Sequence, residues 1–203
     1  MPMLKDRQYR TLPFATPPQA EKKNKFESDC YVEGYATTFE PYVLYDDGEN
    51  VVYEQFLPDC FRDCDMSDII FQFDHAGKVY ARMSNNTLTV DPDEKGLFVC
   101  ADLSKTTAAR GMFEDIQSGL VTKMSWGFMP DYKTLRFDEK TNTIIHSRIL
   151  KIYDVSAVSI PANNDTEIQA RNFANGAIDK FMGEIQKRKN HIKKIRLLLE
   201  VTK

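Results

Sequence analysis

Ser125, His75 and Asp154 are residue types that together can carry acyl transfer. A serine hydroxyl is a weak nucleophile at neutral pH; it needs a neutral imidazole to take its proton and a carboxylate to fix that imidazole's tautomer. Ser125 lies in the run Gly119–Phe128, Gly-Leu-Val-Thr-Lys-Met-Ser-Trp-Gly-Phe. There a helical pattern stops at Ser118-Gly119, and a strand follows that carries the serine between Met124 and Trp126, with Gly127 leaving backbone uncovered beside the hydroxyl. His75 ends the apolar run Asp68–Phe73, and Asp154 interrupts the apolar run Leu150–Val158. Each also has a plain structural reading, a strand serine or a histidine in a turn, because a catalytic group is recognised by its geometry.

Asp154 carries the most information of the three. Alternation along a strand places it on one face with Leu150, Ile152, Ser156 and Val158. A carboxylate on a mainly apolar face needs a partner, which His75, Arg82 or Arg148 can supply. His146 is the rival third member. It has the same parity as Asp154, but eight extended residues span roughly 26 Å at about 3.3 Å each, so an unbent strand brings only one of the two to a single imidazole. His191 falls in a basic tail, where a solvated face is expected.

The elements that must position these residues follow from periodicity. Residues 1–30 read as a polar N-terminal arm, with Pro13, Pro17, Pro18 and the charged run Glu21–Lys25. Short strands begin at Tyr31–Ala36 and continue at Val51–Phe56, Asp68–Phe73, Tyr80–Met83, Thr87–Val90 and Leu97–Leu103. Ser104 reads as an N-cap for a helix whose apolar positions Ala108, Met112, Phe113 and Ile116 run up to a C-cap at Gly119. A hairpin joins Tyr132–Phe137 to Thr143–Tyr153, and the last strand closes at Pro161. Many short strands with one or two helices predict a mainly β, α+β domain, barrel-like or sandwich-like. Beyond it, Ile178, Ile185, Ile192 and Leu199 stand seven apart and predict an amphipathic C-terminal helix, for packing or oligomerisation.

Composition narrows the function classes. Of the 203 residues, 42% are hydrophobic and 28% charged, a globular balance, and the net charge is −3. Residues 177–203 hold eight Lys/Arg against three Asp/Glu, so the tail is +5 and the remainder −8. A nucleic-acid-binding β-barrel using the tail as its basic arm is therefore disfavoured. No leader-like apolar segment opens the chain and no run reaches membrane-spanning length, which predicts a cytoplasmic protein without membrane association. Cys30, Cys60, Cys64 and Cys100 form no paired CxxC array and are expected as reduced, mostly buried thiols, with no metal or other cofactor.

From Val32 to Arg171 the chain resembles the prohead, or head-maturation, serine proteases of tailed bacteriophages, which are related to herpesvirus assemblins. The resemblance rests on Gly34-Tyr35-Ala36, Leu57-Pro58-Asp59-Cys60-Phe61, Asp74-His75, Asn86-Thr87-Leu88 with Asp91, and Gly96-Leu97. It continues through Ser118-Gly119, Met124-Ser125-Trp126-Gly127-Phe128, Asp154-Val155-Ser156-Ala157-Val158, Pro161-Ala162, Thr166 and Arg171. It implies an assemblin-like β-barrel with flanking helices, a protease domain over residues 31–172 and a basic amphipathic helix over 173–203. It implies a serine endopeptidase with Ser125 as nucleophile, His75 as general base and Asp154 as third member. Two departures stand out: Asp74 precedes His75 where the family commonly has Asn, and Asp154 stands where it commonly has Glu. The herpesvirus branch uses a second His, which keeps His146 in contention.

The resemblance further implies capsid and scaffold proteins as substrates, self-cleavage, self-association, and a location inside the assembling prohead in the bacterial host's cytoplasm. No nucleic acid, membrane or cofactor is expected. The alternative is a catalytically inactive capsid-assembly or scaffolding protein on the same fold.

Overall fold

The computed structural model describes residues 7–13, 25–46, 48 and 50–159. Among them are twelve strands and one α-helix: β1 (Gln8–Pro13), β2 (Tyr31–Thr38), β3 (Tyr42–Asp46), β4 (Val51–Phe56), β5 (Ile70–Phe73), β6 (Ala76–Arg82), β7 (Leu88–Pro92), β8 (Gly96–Asp102), α1 (Thr107–Gln117), β9 (Lys123–Pro130), β10 (Arg136–Asp138), β11 (Thr143–His146) and β12 (Ile149–Val158). The mainly β, α+β expectation holds. The strands form three sheets, ordered β1-β9-β12-β5-β6, β10-β11-β4-β3 and β2-β8-β7.

None of these sheets closes on itself among the described residues. β11 runs parallel to β4 for only four residues, and the chain then re-enters as β12 in a different sheet. Two of the sheets meet through aromatic side chains whose alternation points them inward. Trp126 and Phe128 on β9 stack with centroids 4.1 Å apart, and Phe56 from β4 packs edge-on against both at 5.2 and 5.5 Å. All three are fully buried, and aromatic pairs of this kind add about 0.5–1.5 kcal/mol each beyond their area.

α1 delivers the chain to β9. Its N-cap is Thr106, whose side chain accepts a hydrogen bond from the Ala109 amide at 3.1 Å, two residues beyond the Ser104 expected. Ala109 and Met112 are its buried contacts. Gly119 ends it with φ +78°, the left-handed conformation glycine adopts without a Cβ penalty. Its amide donates to the Ile116 carbonyl at 3.1 Å and that of Leu120 to Asp115 at 3.0 Å, which turns the chain out of the helix and into β9.

The reading of residues 1–30 as an arm is corrected at its start. Gln8–Pro13 form the outer strand of the five-stranded sheet, antiparallel to β9, and Gln8 and Arg10 are buried. Their polar character concealed this, because the buried Arg10 is held by the Glu54 carboxylate, distant in sequence. The expected C-terminal helix, 173–203, lies outside the described residues, as do Pro161, Thr166, Arg171 and His191. Cys30, Cys60 and Cys100 are buried, Cys64 is half-buried, and all four are free thiols. Among the described residues no helix is long and apolar enough to cross a membrane, and no cluster of His, Cys, Asp or Glu is arranged to hold a metal.

Candidate active site

β5 and β6 are joined by a two-residue hairpin turn, Asp74-His75. Both residues have positive φ, +47° and +55°, the pattern of a type I′ turn. Such turns favour Asn-Gly or Asp-Gly, so a histidine here carries a conformational cost of order 1 kcal/mol or more that its surroundings must offset. Asp74 supplies part of that support. Its Oδ1 accepts from the Ser159 amide at 2.9 Å and its Oδ2 from the Ser159 hydroxyl at 2.8 Å, while its own amide donates to the Ala157 carbonyl at 2.9 Å. The turn is thereby fastened to the far end of β12.

Asp154 reaches the same place through an irregularity. Between Ile152 and Asp154 the β12–β9 register slips, so that Ile152 stands opposite Phe128 and Asp154 opposite Gly127. The bulge at Tyr153 turns Asp154 away from the face of Ile152 and Val155, both of which join the apolar core. The expected shared face with Ile152 is therefore corrected, while Ser156 stays on Asp154's side, opposite Ser125.

These placements bring three side chains into one chain of hydrogen bonds. His75 Nδ1 lies 2.5 Å from Asp154 Oδ2, and His75 Nε2 lies 2.6 Å from Ser125 Oγ. An ionised carboxylate only accepts, so the neutral ring carries its proton on Nδ1 and leaves Nε2 to accept from the serine hydroxyl. Ser125 and Asp154 are each 1% exposed, and the His75 side chain 16%. Ser156 Oγ also donates to Asp154 Oδ2, at 3.0 Å. Asp154 Oδ1 has no hydrogen-bond partner among the described residues; the Arg7 guanidinium stands 3.8 Å away. Arg82 and Arg148, the other partners considered for Asp154, face Asp68 at 3.1 Å and Asp131 at 3.7 Å instead.

Gly127 makes the approach possible. A Cβ there would lie 2.5 Å from Asp154 Oδ1 and 2.8 Å from Tyr9 Cε1, closer than such atoms can stand. The Tyr9 ring lies against His75 with centroids 4.2 Å apart. Burial and the nearby Asp154 charge push the Tyr9 hydroxyl above its ordinary pKa.

His146 belongs to a different cluster, which sequence reasoning missed. Its Nε2 lies 2.8 Å from Glu54 Oε1. Arg10 meets the same carboxylate through both Nε and Nη2, and the Tyr42 hydroxyl donates to Glu54 Oε2. Glu54 and His146 are almost completely buried. Burial alone raises a carboxyl pKa, but the Arg10 and His146 charges outweigh it and hold Glu54 well below the usual range. One signal was present in the sequence: in Val51–Phe56, Glu54 shares its parity with Val52 and Phe56, which marks it as a carboxylate on a buried face.

The arrangement of His75, Ser125 and Asp154 can activate a hydroxyl for attack on a carbonyl. Comparison with known proteins bears on whether it does. A family model described as caudovirus prohead serine protease matches residues 19–180, a span that contains all three residues and begins after β1. No curated protein matches the chain, and neither does any solved structure.

Proposed function

This chain belongs to the caudovirus prohead serine protease family, and we propose that it is the serine endopeptidase that cleaves capsid and scaffold proteins as a phage head matures. The observation that carries this reading is the continuous hydrogen-bonded chain from Asp154 through His75 to Ser125, at 2.5 and 2.6 Å. In it Ser125 is the nucleophile, His75 the general base and Asp154 the carboxylate that orients the imidazole.

Ser125 Oγ attacks the scissile carbonyl carbon while His75 Nε2 takes its proton. Asp154 stabilises the imidazolium and holds its Nδ1 proton in place. His75 then returns the proton to the leaving nitrogen, the C–N bond breaks, and an acyl group remains on Ser125. Water attacks that ester with His75 again as base, which releases the new carboxylate and restores the hydroxyl. Asp154 is held in place by His75 and Ser156.

The substrates in this reading are the chains a prohead encloses, cut inside the shell within the host cell. The basic segment 173–203 serves as a tether or in self-association. Deleting residues 177–203 should reduce incorporation into proheads more than cleavage of a free peptide, and equal loss of both would count against that role. The central experiment is co-expression with the phage's capsid protein, with fragment masses read for wild type and Ser125→Ala. The variant should leave the capsid protein intact while unfolding at the wild-type temperature; processing at the wild-type rate would end the proposal.

A further inference from the structure

β1 sits where a protease needs access. It covers the edge of β9 that carries Ser125, with Thr11 opposite Ser125 and Tyr9 opposite Gly127. From one side of this strand Tyr9 covers His75 and the Arg7 guanidinium lies 3.7 Å above the Tyr153 ring. With β1 in place Ser125 is 1% exposed, too covered to meet the backbone of another chain. From the other side Gln8 and Arg10 enter the interior.

We infer that the β9 edge under β1 is where a polypeptide substrate adds as a strand, and that Glu54, Tyr42 and His146 form its subsite for an arginine. Arg10 occupies that subsite in cis. This rests on Ser125 as the nucleophile. A strand edge recognises backbone through its amides and carbonyls, and pockets for alternate side chains supply specificity. The pocket here is built for a guanidinium. Glu54 takes Arg10 Nε and Nη2 on its two oxygens, a planar fork that lysine cannot reproduce. Gln8 Oε1 accepts from Nη2 at 2.9 Å, and the Tyr9 carbonyl from Nη1 at 2.8 Å.

Tyr42 and His146 also hold the carboxylate, from groups outside β1. A strand that is permanent structure gains most by burying apolar side chains, since a buried ion pair adds little net stability over them. Among the described side chains of β1, the buried ones are Gln8 and Arg10, groups suited to recognition. The antiparallel register sets the order: the arginine lies one residue before the residue opposite Ser125.

The test uses the full chain with Ser125→Ala, so that nothing is cleaved, and Arg10→Ala to vacate the subsite. Fluorescein-labelled Gln-Tyr-Arg-Thr-Leu-Pro, the sequence of residues 8–13, and its analogue with alanine for arginine are titrated by fluorescence anisotropy. The arginine peptide should bind at least about tenfold more tightly than the alanine peptide. Adding Glu54→Gln should erase that preference, and restoring Arg10 should weaken binding at least about tenfold through competition. Equal binding of the two peptides, or binding of neither, overturns the inference. Arg10→Gln is run in parallel; loss of cooperative unfolding in both Arg10 variants makes β1 permanent structure and overturns it too. Fluorophosphonate labelling of the same chains with Ser125 present separates the two readings. Selective binding without labelling removes the catalytic assignment alone, and labelling without selectivity removes the arginine subsite alone.

Discussion

Gly127 and Asp154 face each other across β9 and β12, and the carboxylate occupies the space where a side chain at 127 would begin. The carboxylate position therefore depends on a missing Cβ as much as on its own hydrogen bonds. Gly127→Ala should move Asp154 or Tyr9. Misplacing a catalytic group by about 1 Å costs about 100-fold, whereas overpacking of this kind costs about 1–3 kcal/mol of stability. A peptide-cleavage assay beside a thermal melt should show a folded protein with kcat about 100-fold down; an unchanged kcat would mean the carboxylate does not need that space.

Asp154 and His146 make opposite predictions. Asp154→Asn presents an amide that can donate to Nδ1, which favours the wrong tautomer, and kcat should fall by about 10⁴ as it does when a triad carboxylate is replaced elsewhere. His146→Ala leaves His75 untouched and removes one partner of Glu54, so its main effect should be on the melting temperature. A dead His146→Ala enzyme beside an active Asp154→Asn one would transfer the third role to His146.

The residues that hydrogen-bond in the site could be picked by type and chain order, and the helix that leads into the Ser125 strand could be read from Ala108, Met112, Ile116 and Gly119. What could not be read was how each is aimed. The bulge at Tyr153 reverses the alternation that seemed to put Asp154 with Ile152, because one extra residue flips a strand's faces and leaves no mark in composition. The burial of Gln8 and Arg10 was hidden because the partner of Arg10 is a buried carboxylate distant in sequence, which periodicity does not mark. Glu54 was detectable by the same parity reasoning applied to Asp154.

Asp74 should act as a positioning residue for His75. Alanine in its place loses both hydrogen bonds to Ser159 and tolerates positive φ poorly. Asparagine adopts that conformation readily and keeps one carbonyl acceptor. Asp74→Ala should lower kcat by about tenfold with little change in KM, and Asp74→Asn should restore most of it. If the two variants were equally impaired, the turn would not be what orients the imidazole.

Glu54 should leave a signature in acid. Its pKa lies below the unfolded-state value of about 4.3, so the folded state binds fewer protons and the stabilisation is fully present above that value. It is lost as pH falls through the depressed folded value. Glu54→Gln removes the titrating group and leaves Arg10 without its anion. Breaking a buried pair costs about 3–5 kcal/mol, and the lower end is expected because an undocked β1 returns Arg10 to water. Urea unfolding at pH 7, 5 and 3 should show the variant less stable by about 3 kcal/mol at pH 7, with the gap closing toward pH 3. A gap of the same size at all three pH values would show that Glu54 supports the fold by shape alone.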